Sequence, residues 1–365
     1  LEHKMFDTKD GSAMQDLAKN GAEPNAFTAS SLTGYNFDCT EHFEENLKIL
    51  LRFVSVPYFT QESVDKERGI IAQEIRMVED NPDWQIYQQL LQALYVRHAS
   101  RVPIAGTVES IAEITPQTLY DCHKAFYTPA NMVLTVVGDV RPDRVFEAAE
   151  RILPAESGPD IERDYGDEPE AIHEKEVTRH MEVSAPQFLL GFKCPPPERG
   201  ESGYRTELLG DLAWDILLGE SSPLYQRLYE NGTINGSFGG AFDTLPGAAC
   251  LYAGGDCREP RKVAEAILRE TERLQTDGID PDYWQRMRRA AFGSTLRGLN
   301  SFENIAVGLA EGCFQGYDAF RFPRVYESIQ PEDVLAFLRQ NVREERMALS
   351  RILPGQEQEK EGTDA

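Results

Sequence analysis

Basic residues are scarce in this sequence. Lys and Arg number 37 against 61 Asp and Glu, a formal net charge of −24. Nucleic acid and anionic membrane surfaces need clustered cations, so the charge balance argues against both as partners. It is compatible with basic peptides, but an acidic surface that is simply well solvated explains it better. No apolar run approaches the roughly 20 residues that span a bilayer. The six cysteines (Cys39, Cys122, Cys194, Cys250, Cys257, Cys313) show no C-x-x-C spacing. In a chain this long that predicts reduced, buried thiols in a cytosolic protein rather than a disulfide framework. There is no phosphate-cradling Gly loop, nucleotide fingerprint or Ser-His-Asp arrangement. Histidine is rare too, and His42, His98, His123, His173 and His180 lack partners at ligand spacing, which predicts surface or capping roles. The sequence opens without an initiating Met, so the natural N-terminus and any targeting segment are not in view.

What is present is the composition of a soluble globular protein, 41% hydrophobic and 27% charged, over 365 residues, enough for two domains with separate cores. Residues 1–19 read as one helix stopped at Asn20-Gly21, and 25–39 as strands in which Tyr35, Phe37 and Cys39 alternate. Helices follow over Phe43 to Val54, Thr60 to Asp80, Trp84 to Tyr95 and, after the Thr115-Pro116 start, on to Phe126. Met132 to Val137 reads as a buried strand and Val140 to Ile152 as a helix. Residues 154–178 hold three Pro, two Gly and nine Asp or Glu, the composition of an extended linker. Beyond it the order recurs: a strand through Phe188, Leu190 and Phe192, helix 208–218, strands near 237–242 and 250–252, then helices 262–274, 281–296 and 331–341. Phe59-Thr60-Gln61-Glu62 corresponds to Ile279-Asp280-Pro281-Asp282, and Ile114-Thr115-Pro116 to Ile329-Gln330-Pro331, offsets of 220 and 215 residues. That is an internal duplication with small indels.

Two short stretches carry chemistry. Glu2-His3 opens a helical segment and forms the tail of an inverted zinc-hydrolase signature, H-x-x-E-H, whose first His would stand two positions before Leu1. Alone, a Glu-His pair is as well explained by a polar helix face. The second stretch is Glu67-Arg-Gly-Ile-Ile-Ala-Gln-Glu74. Its two carboxylates are seven residues apart, two helical turns, and so share a face. Val64, Ile70, Ile71, Ile75 and Val78 give the helix an apolar side.

With these motifs the sequence resembles the insulinase/pitrilysin-type inverzincin metallopeptidases, the processing-peptidase family, and most nearly its bacterial branch. Gly21-Ala22-Glu23-Pro24-Asn25-Ala26-Phe27-Thr28 with Thr33-Gly34-Tyr35 is similar to the family's strand after the metal helix. Phe126-Tyr127-Thr128-Pro129-Ala130-Asn131-Met132, Gly138-Asp139 and Gly219-Glu220-Ser221-Ser222-Pro223-Leu224-Tyr225 match later family segments. The resemblance covers nearly the whole chain. It implies an α+β fold of two duplicated domains, each a mostly antiparallel sheet covered by helices, facing across a chamber. Residues 1–153 would be the metal-bearing domain, 154–178 the acidic linker and 179–365 the homologous domain without ligands. The metal helix maps in the second copy to Gly210–Trp214. By the same repeat the first domain lacks at least roughly 30 residues at its start.

The resemblance further implies a zinc endopeptidase of the cytoplasm. His3 and Glu74 would be metal ligands, Glu2 the general base that activates the metal-bound water, and Glu67 a carboxylate orienting the ligands. Asn25, Ala26 and Phe27 would pair with an extended substrate backbone. The substrate would be a peptide or unfolded segment, and a related chain could complete a homo- or heterodimer. One departure stands out. Where the family carries Arg and then Tyr in the second domain, this chain has Tyr229 and Ile234 or Asn235, with Arg227 nearby. A non-catalytic or weakly catalytic partner subunit is therefore the rival reading. With its first His outside the sequence, the fragment itself is expected to be inactive.

Overall fold

The computed structural model describes residues 1–154, 157–158 and 161–355. Residues 155, 156, 159 and 160 of the expected linker, and 356–365 of the expected second domain, lie outside the described residues. The stretch 1–19, expected as one helix, is broken into α1 (Glu2–Met5), a small hairpin of β1 (Asp7–Thr8) and β2 (Gly11–Ser12), and α2 (Ala13–Lys19). Asp10-Gly11 is responsible: Gly11 takes φ 147°, open only to a residue without Cβ, and Asp-Gly is a hairpin signal that outweighs helical periodicity. β3 (Glu23–Thr28) then runs antiparallel to β4 (Thr33–Asp38), placing Ala26 opposite Tyr35 and Phe27 opposite Gly34.

α3 (Phe43–Ser55) stops before Pro57, and α4 (Gln61–Glu79) begins with the Thr60 hydroxyl accepting from the Ser63 amide at 3.2 Å. Asn81 ends α4 and caps α5 (Pro82–Leu94), accepting from the Asp83 and Trp84 amides. Next come α6 (Val108–Ala112), α7 (Pro116–Phe126), capped by Thr115, and α8 (Pro142–Ile152). Residues 132–137, expected as a buried strand, form none: Met132 and Leu134 are exposed. A strand needs a neighbour for its amides and carbonyls, and among the described residues no strand pairs with this run.

The rest of the chain contributes β5 (Glu176–Met181), β6 (Gln187–Cys194), α9 (Glu201–Leu218), α10 (Pro223–Glu230), β7 (Gly239–Leu245), β8 (Ala248–Asp256), α11 (Pro260–Asp277), α12 (Pro281–Gly298), α13 (Phe302–Gln315), α14 (Phe322–Ser328), α15 (Pro331–Asn341) and β9 (Met347–Pro354). The strands form one sheet in the order β5-β9-β6-β8-β7, antiparallel except for β5 beside β9. β5, β9, α13 and α14 are absent from the sequence reading. β5 is a sheet edge with exposed Thr178, Arg179 and His180, so it shows no apolar alternation.

Packing divides the chain into two units. One comprises Leu1–Arg76, Pro103–Asp164 and Arg297–Ala319; the other Met77–Val102, Tyr165–Leu296 and the described part of Phe320–Ala365. These limits differ from the chain-order division into 1–153, 154–178 and 179–365. α5 belongs to the second unit because Leu90 and Leu94, both fully buried, lie over Gly191 of β6. α13 belongs to the first. The two helices are equivalent by repeat, starting at 82 and 302, an offset of 220, as do α4 and α12 at 61 and 281; α7 and α15 start at 116 and 331, an offset of 215. Each unit thus includes one helix encoded in the other half of the chain.

In the first unit Met5, Phe6, Leu17, Phe53, Val54, Phe59 and Val64 form one core, which holds α1 and α4 on shared ground. Among the described residues its strands form two antiparallel ladders, β1-β2 and β3-β4. The second unit buries Phe188, Leu190 and Phe192 on one face of β6 and packs α5 on the other. The end of the expected linker is fixed in this unit. The buried Lys193 ammonium donates to Glu168 Oε1 at 2.6 Å and to the carbonyls of Pro169 and Ala171 at 2.7 and 2.9 Å. Residues 176–178 are already strand.

Candidate active site

The site grows from one buried corner of the first unit. Met5 and Phe6 anchor α1 in the core while Glu2 and His3 point away from it. On α4, Val64 and Ile75 are buried, which turns Glu67 and Glu74 toward α1. Ile70, expected on the apolar side, is exposed.

The structure brings His3, Glu67 and Glu74 together. His3 Nδ1 lies 2.9 Å from Glu67 Oε1, a hydrogen bond, and His3 Nε2 lies 3.9 Å from Glu74 Oε2. Glu67 is largely covered, whereas Glu74 is half-exposed. Donation from Nδ1 to Glu67 leaves the Nε2 lone pair aimed at the Glu74 carboxylate. Imidazole nitrogen and carboxylate oxygen are both zinc donors. Two donors on one tetrahedral zinc stand about 3.4 Å apart given bonds near 2.0–2.1 Å, and the half-exposed Glu74 has room to close that difference. His3 and Glu74 therefore fit two of the three protein positions of a hydrolytic zinc site. Among the described residues, no group of three or more His, Cys, Asp or Glu is gathered for a metal; the pair here is two donors.

Glu2 is engaged by Thr28, whose hydroxyl donates to Glu2 Oε2 in a short hydrogen bond. Thr28 ends β3, so the strand expected to meet substrate also holds the expected base. No role for Thr28 came from the sequence, although it closes the quoted Asn25-Ala26-Phe27 motif. Within β3 the Ala26 amide donates to Asn25 Oδ1 at 2.9 Å, and Gly34 lies so near the Phe27 ring that a Cβ would stand 2.5 Å from it. On the described residues β3 is paired on one side only.

Two further groups escaped the sequence reading. Tyr35 and Tyr127 share a hydroxyl–hydroxyl hydrogen bond of 2.8 Å. Burial pushes the Tyr35 phenol well above its ordinary value, the neighbouring Tyr127 adds to this, and the charge of Glu2 does so further. Lys4 is the other, a buried ammonium reaching both Asp7 and Glu67. His98 and His123, expected at the surface or as caps, are both buried. His98 does cap the short turn at Ser100, and it also bonds the Pro246 carbonyl at 2.8 Å. His123 bonds the Val54 carbonyl at 2.9 Å, and burial lowers its pKa. Sequence spacing cannot register partners that are backbone carbonyls.

In the second unit, Arg227 is tied to Glu270 at 2.5 Å and is a structural residue. Tyr229 is exposed and stacks on Tyr225, with ring centroids 6.0 Å apart. Ile234 is buried. Asn235 is spent on a turn, accepting from the Ser237 amide at 2.9 Å. Cys194, Cys250 and Cys257 are buried, and burial pushes the Cys194 thiol up to about 12; Cys313 is exposed, unlike the buried thiols expected.

Known proteins resemble this chain over most of its length. Residues 1–108 match the family described as insulinase (peptidase family M16), and residues 113–291 the peptidase M16 inactive domain. The uncharacterized zinc protease YmfH of Bacillus subtilis (strain 168) is 38% identical over 362 residues, covering 97% of this chain and 83% of that protein. A second uncharacterized zinc protease of that organism, YmxG, is 26% identical over 311 residues, 82% of this chain and 74% of that one. Among solved structures, an M16-like peptidase from Alicyclobacillus acidocaldarius superposes with a TM-score of 0.92 at 31% identity, over 97% of this chain and 85% of that one. A Helicobacter pylori protease, TM-score 0.84 at 19% identity and matching 97% of this chain and 88% of that one, shares the fold. The chain belongs to the insulinase family of peptidases, M16.

Proposed function

We propose that this chain is a zinc-dependent endopeptidase acting on peptides or unfolded segments. The observation that carries this is the single imidazole of His3 placed between two carboxylates, Glu67 on Nδ1 and Glu74 facing Nε2. His3 and Glu74 would hold the ion, and Glu67 fixes the ring. Zinc held there supplies Lewis acidity, polarising a peptide carbonyl and making a water molecule acidic near neutral pH.

The chain's own residues do the rest. Glu2 would take the proton from the attacking water and return it to the departing amine, the part of a general-base carboxylate. Thr28 donates to Glu2 Oε2, steadying that carboxylate and leaving Oε1 for the proton. Asn25, Ala26 and Phe27 on the one-sided strand β3 align an extended substrate backbone by main-chain hydrogen bonds, which gives affinity with little sequence choice. The names of relatives as zinc proteases support the metal. Six free thiols support a cytoplasmic setting.

Glu2→Gln tests the mechanism on the protein at its natural length. Zinc content should stay at the wild-type level while peptide hydrolysis stops. Unchanged turnover would remove Glu2 as the base.

A second reading has its own support. Tyr229 stands where Arg was expected and Ile234 or Asn235 where Tyr was; Ile234 is buried, Asn235 is committed to a turn, and residues 113–291 match the M16 inactive domain. On this reading the chain is a weakly catalytic or non-catalytic subunit working beside a related chain. Hydrolysis by the purified protein alone separates the two.

A further inference from the structure

Lys4 follows His3 directly, yet its side chain is buried, an unusual place for an ammonium unless it is paired. Its Nζ lies 2.5 Å from Asp7 Oδ2 and 3.4 Å from Glu67 Oε2. The other oxygen of the same Glu67 carboxylate bonds His3 Nδ1 at 2.9 Å. One carboxylate thus joins a buried ammonium to the imidazole, and Asp7 at the start of the β1-β2 hairpin fixes the ammonium from the far side.

We propose that Lys4 is a positioning residue for His3, acting through Glu67. This rests on the reading of His3 and Glu74 as metal ligands. Glu67 and Glu74 lie on one face of α4, two turns apart, and a free Glu67 carboxylate could rotate away from the ring. Lys4 prevents that by occupying Oε2 while His3 occupies Oε1. With both oxygens engaged, Glu67 stays an acceptor for Nδ1–H, and the Nε2 lone pair stays directed at Glu74. A Met or Leu at this position would fill the same space and leave Glu67 Oε2 without its partner. The competing account is a purely local role, in which the Lys4–Asp7 pair merely braces α1 against the hairpin.

The test uses the protein at its natural length with Lys4→Met and Lys4→Arg, and two readouts that bracing alone would not move. In metal-free protein, nitrogen NMR of the neutral His3 ring should show mainly the Nδ1-protonated tautomer in the wild type and a mixture in Lys4→Met. Zinc affinity, measured by chelator competition, should fall by about 10- to 100-fold in Lys4→Met, the usual effect of losing a group that orients a ligand, and recover in Lys4→Arg. Wild-type tautomer and wild-type zinc affinity in Lys4→Met, whatever its melting temperature, would overturn the inference. A tautomer shift in Lys4→Met, with no zinc bound even by the wild type, would uphold the role of Lys4 and defeat the metal reading instead. If Lys4→Met does not fold, Lys4→Gln keeps most of the stem, drops the charge and reads the same two quantities.

Discussion

Nδ1 of His3 stands 2.9 Å from Oε1 of Glu67, while the opposite ring nitrogen faces Glu74 at 3.9 Å. The two carboxylates occupy one helix face but different sides of one imidazole, and their replacement should differ in kind. Glu74→Gln removes an anionic donor, so bound zinc should drop to background. Glu67→Ala leaves both donors in place and frees the ring to turn, so affinity should weaken by about 10- to 100-fold without disappearing. Metal analysis after equilibrium dialysis ranks the two. Equal zinc in Glu74→Gln and wild type would take Glu74 out of the site.

The anchored end of the acidic linker gives a pH-dependent prediction. Burial would raise the Glu168 pKa, but the Lys193 ammonium and the amides of Val96, Arg97 and His98 outweigh it and hold the pKa at about 2, against an ordinary 4.5. The folded value is the lower one, so the unfolded chain binds the proton first. The stabilisation is therefore full above about pH 4.5 and is lost as pH falls toward 2. Glu168→Gln leaves Lys193 buried without its counter-charge and should cost about 3 kcal/mol or more at neutral pH. Urea midpoints at several pH values should show the gap between variant and wild type narrowing across that acid window. A constant gap would mean that Glu168 acts by shape rather than charge.

Much of this was legible in the residues, and the exceptions have physical causes. The helices from Thr60 and Thr115 were readable because their signals are local: a hydroxyl cap, a proline at the first turn, an apolar stripe. Spacing put Glu67 and Glu74 on one face of one helix, and the family resemblance alone implied that they meet His3. Residues 132–137 have the composition of a buried strand, but composition cannot say whether a partner strand lies alongside. The exchange of α5 and α13 between units was equally hidden, since amphipathic patterning shows that a helix buries a face but not against what. Lys4 and Thr28 were missed for a related reason. Each is an ordinary polar residue in the sequence and gains its role from a partner 63 or 26 residues away.

Gly34 offers a way to perturb the substrate strand without touching the metal residues. It sits across from Phe27 in the β3-β4 ladder, and an added Cβ would lie 2.5 Å from the ring. Phe27 is half-buried, so the ring can be displaced, and the strain of overpacking, about 1–3 kcal/mol, should be spread along β3. Gly34→Ala is expected to raise KM for a peptide substrate several-fold while zinc content holds. A rise in KM together with a fall in kcat would show instead that the disturbance reaches Thr28, at the end of the same strand, and through it Glu2.

Leu90 tests whether α5 is held to its sheet by shape. The side chain is fully buried, and its Cδ atoms would lie 2.9 Å from a Cβ on Gly191, with Leu94 at 3.0 Å. Leu90→Ala leaves a cavity against β6 and should destabilise the second unit by about 2–5 kcal/mol, read as a lowered urea midpoint. Gly191→Ala crowds the same place from the strand side and should cost about 1–3 kcal/mol by itself. The methyl group that Gly191→Ala introduces points into the space that Leu90→Ala vacates, so the two changes share one volume and cannot be additive. The double variant should be more stable than the sum of the single losses allows, with Leu94 limiting the recovery. Simple additivity would mean that α5 can shift along β6 to relieve each change separately, and that the glycine is not what sets their approach.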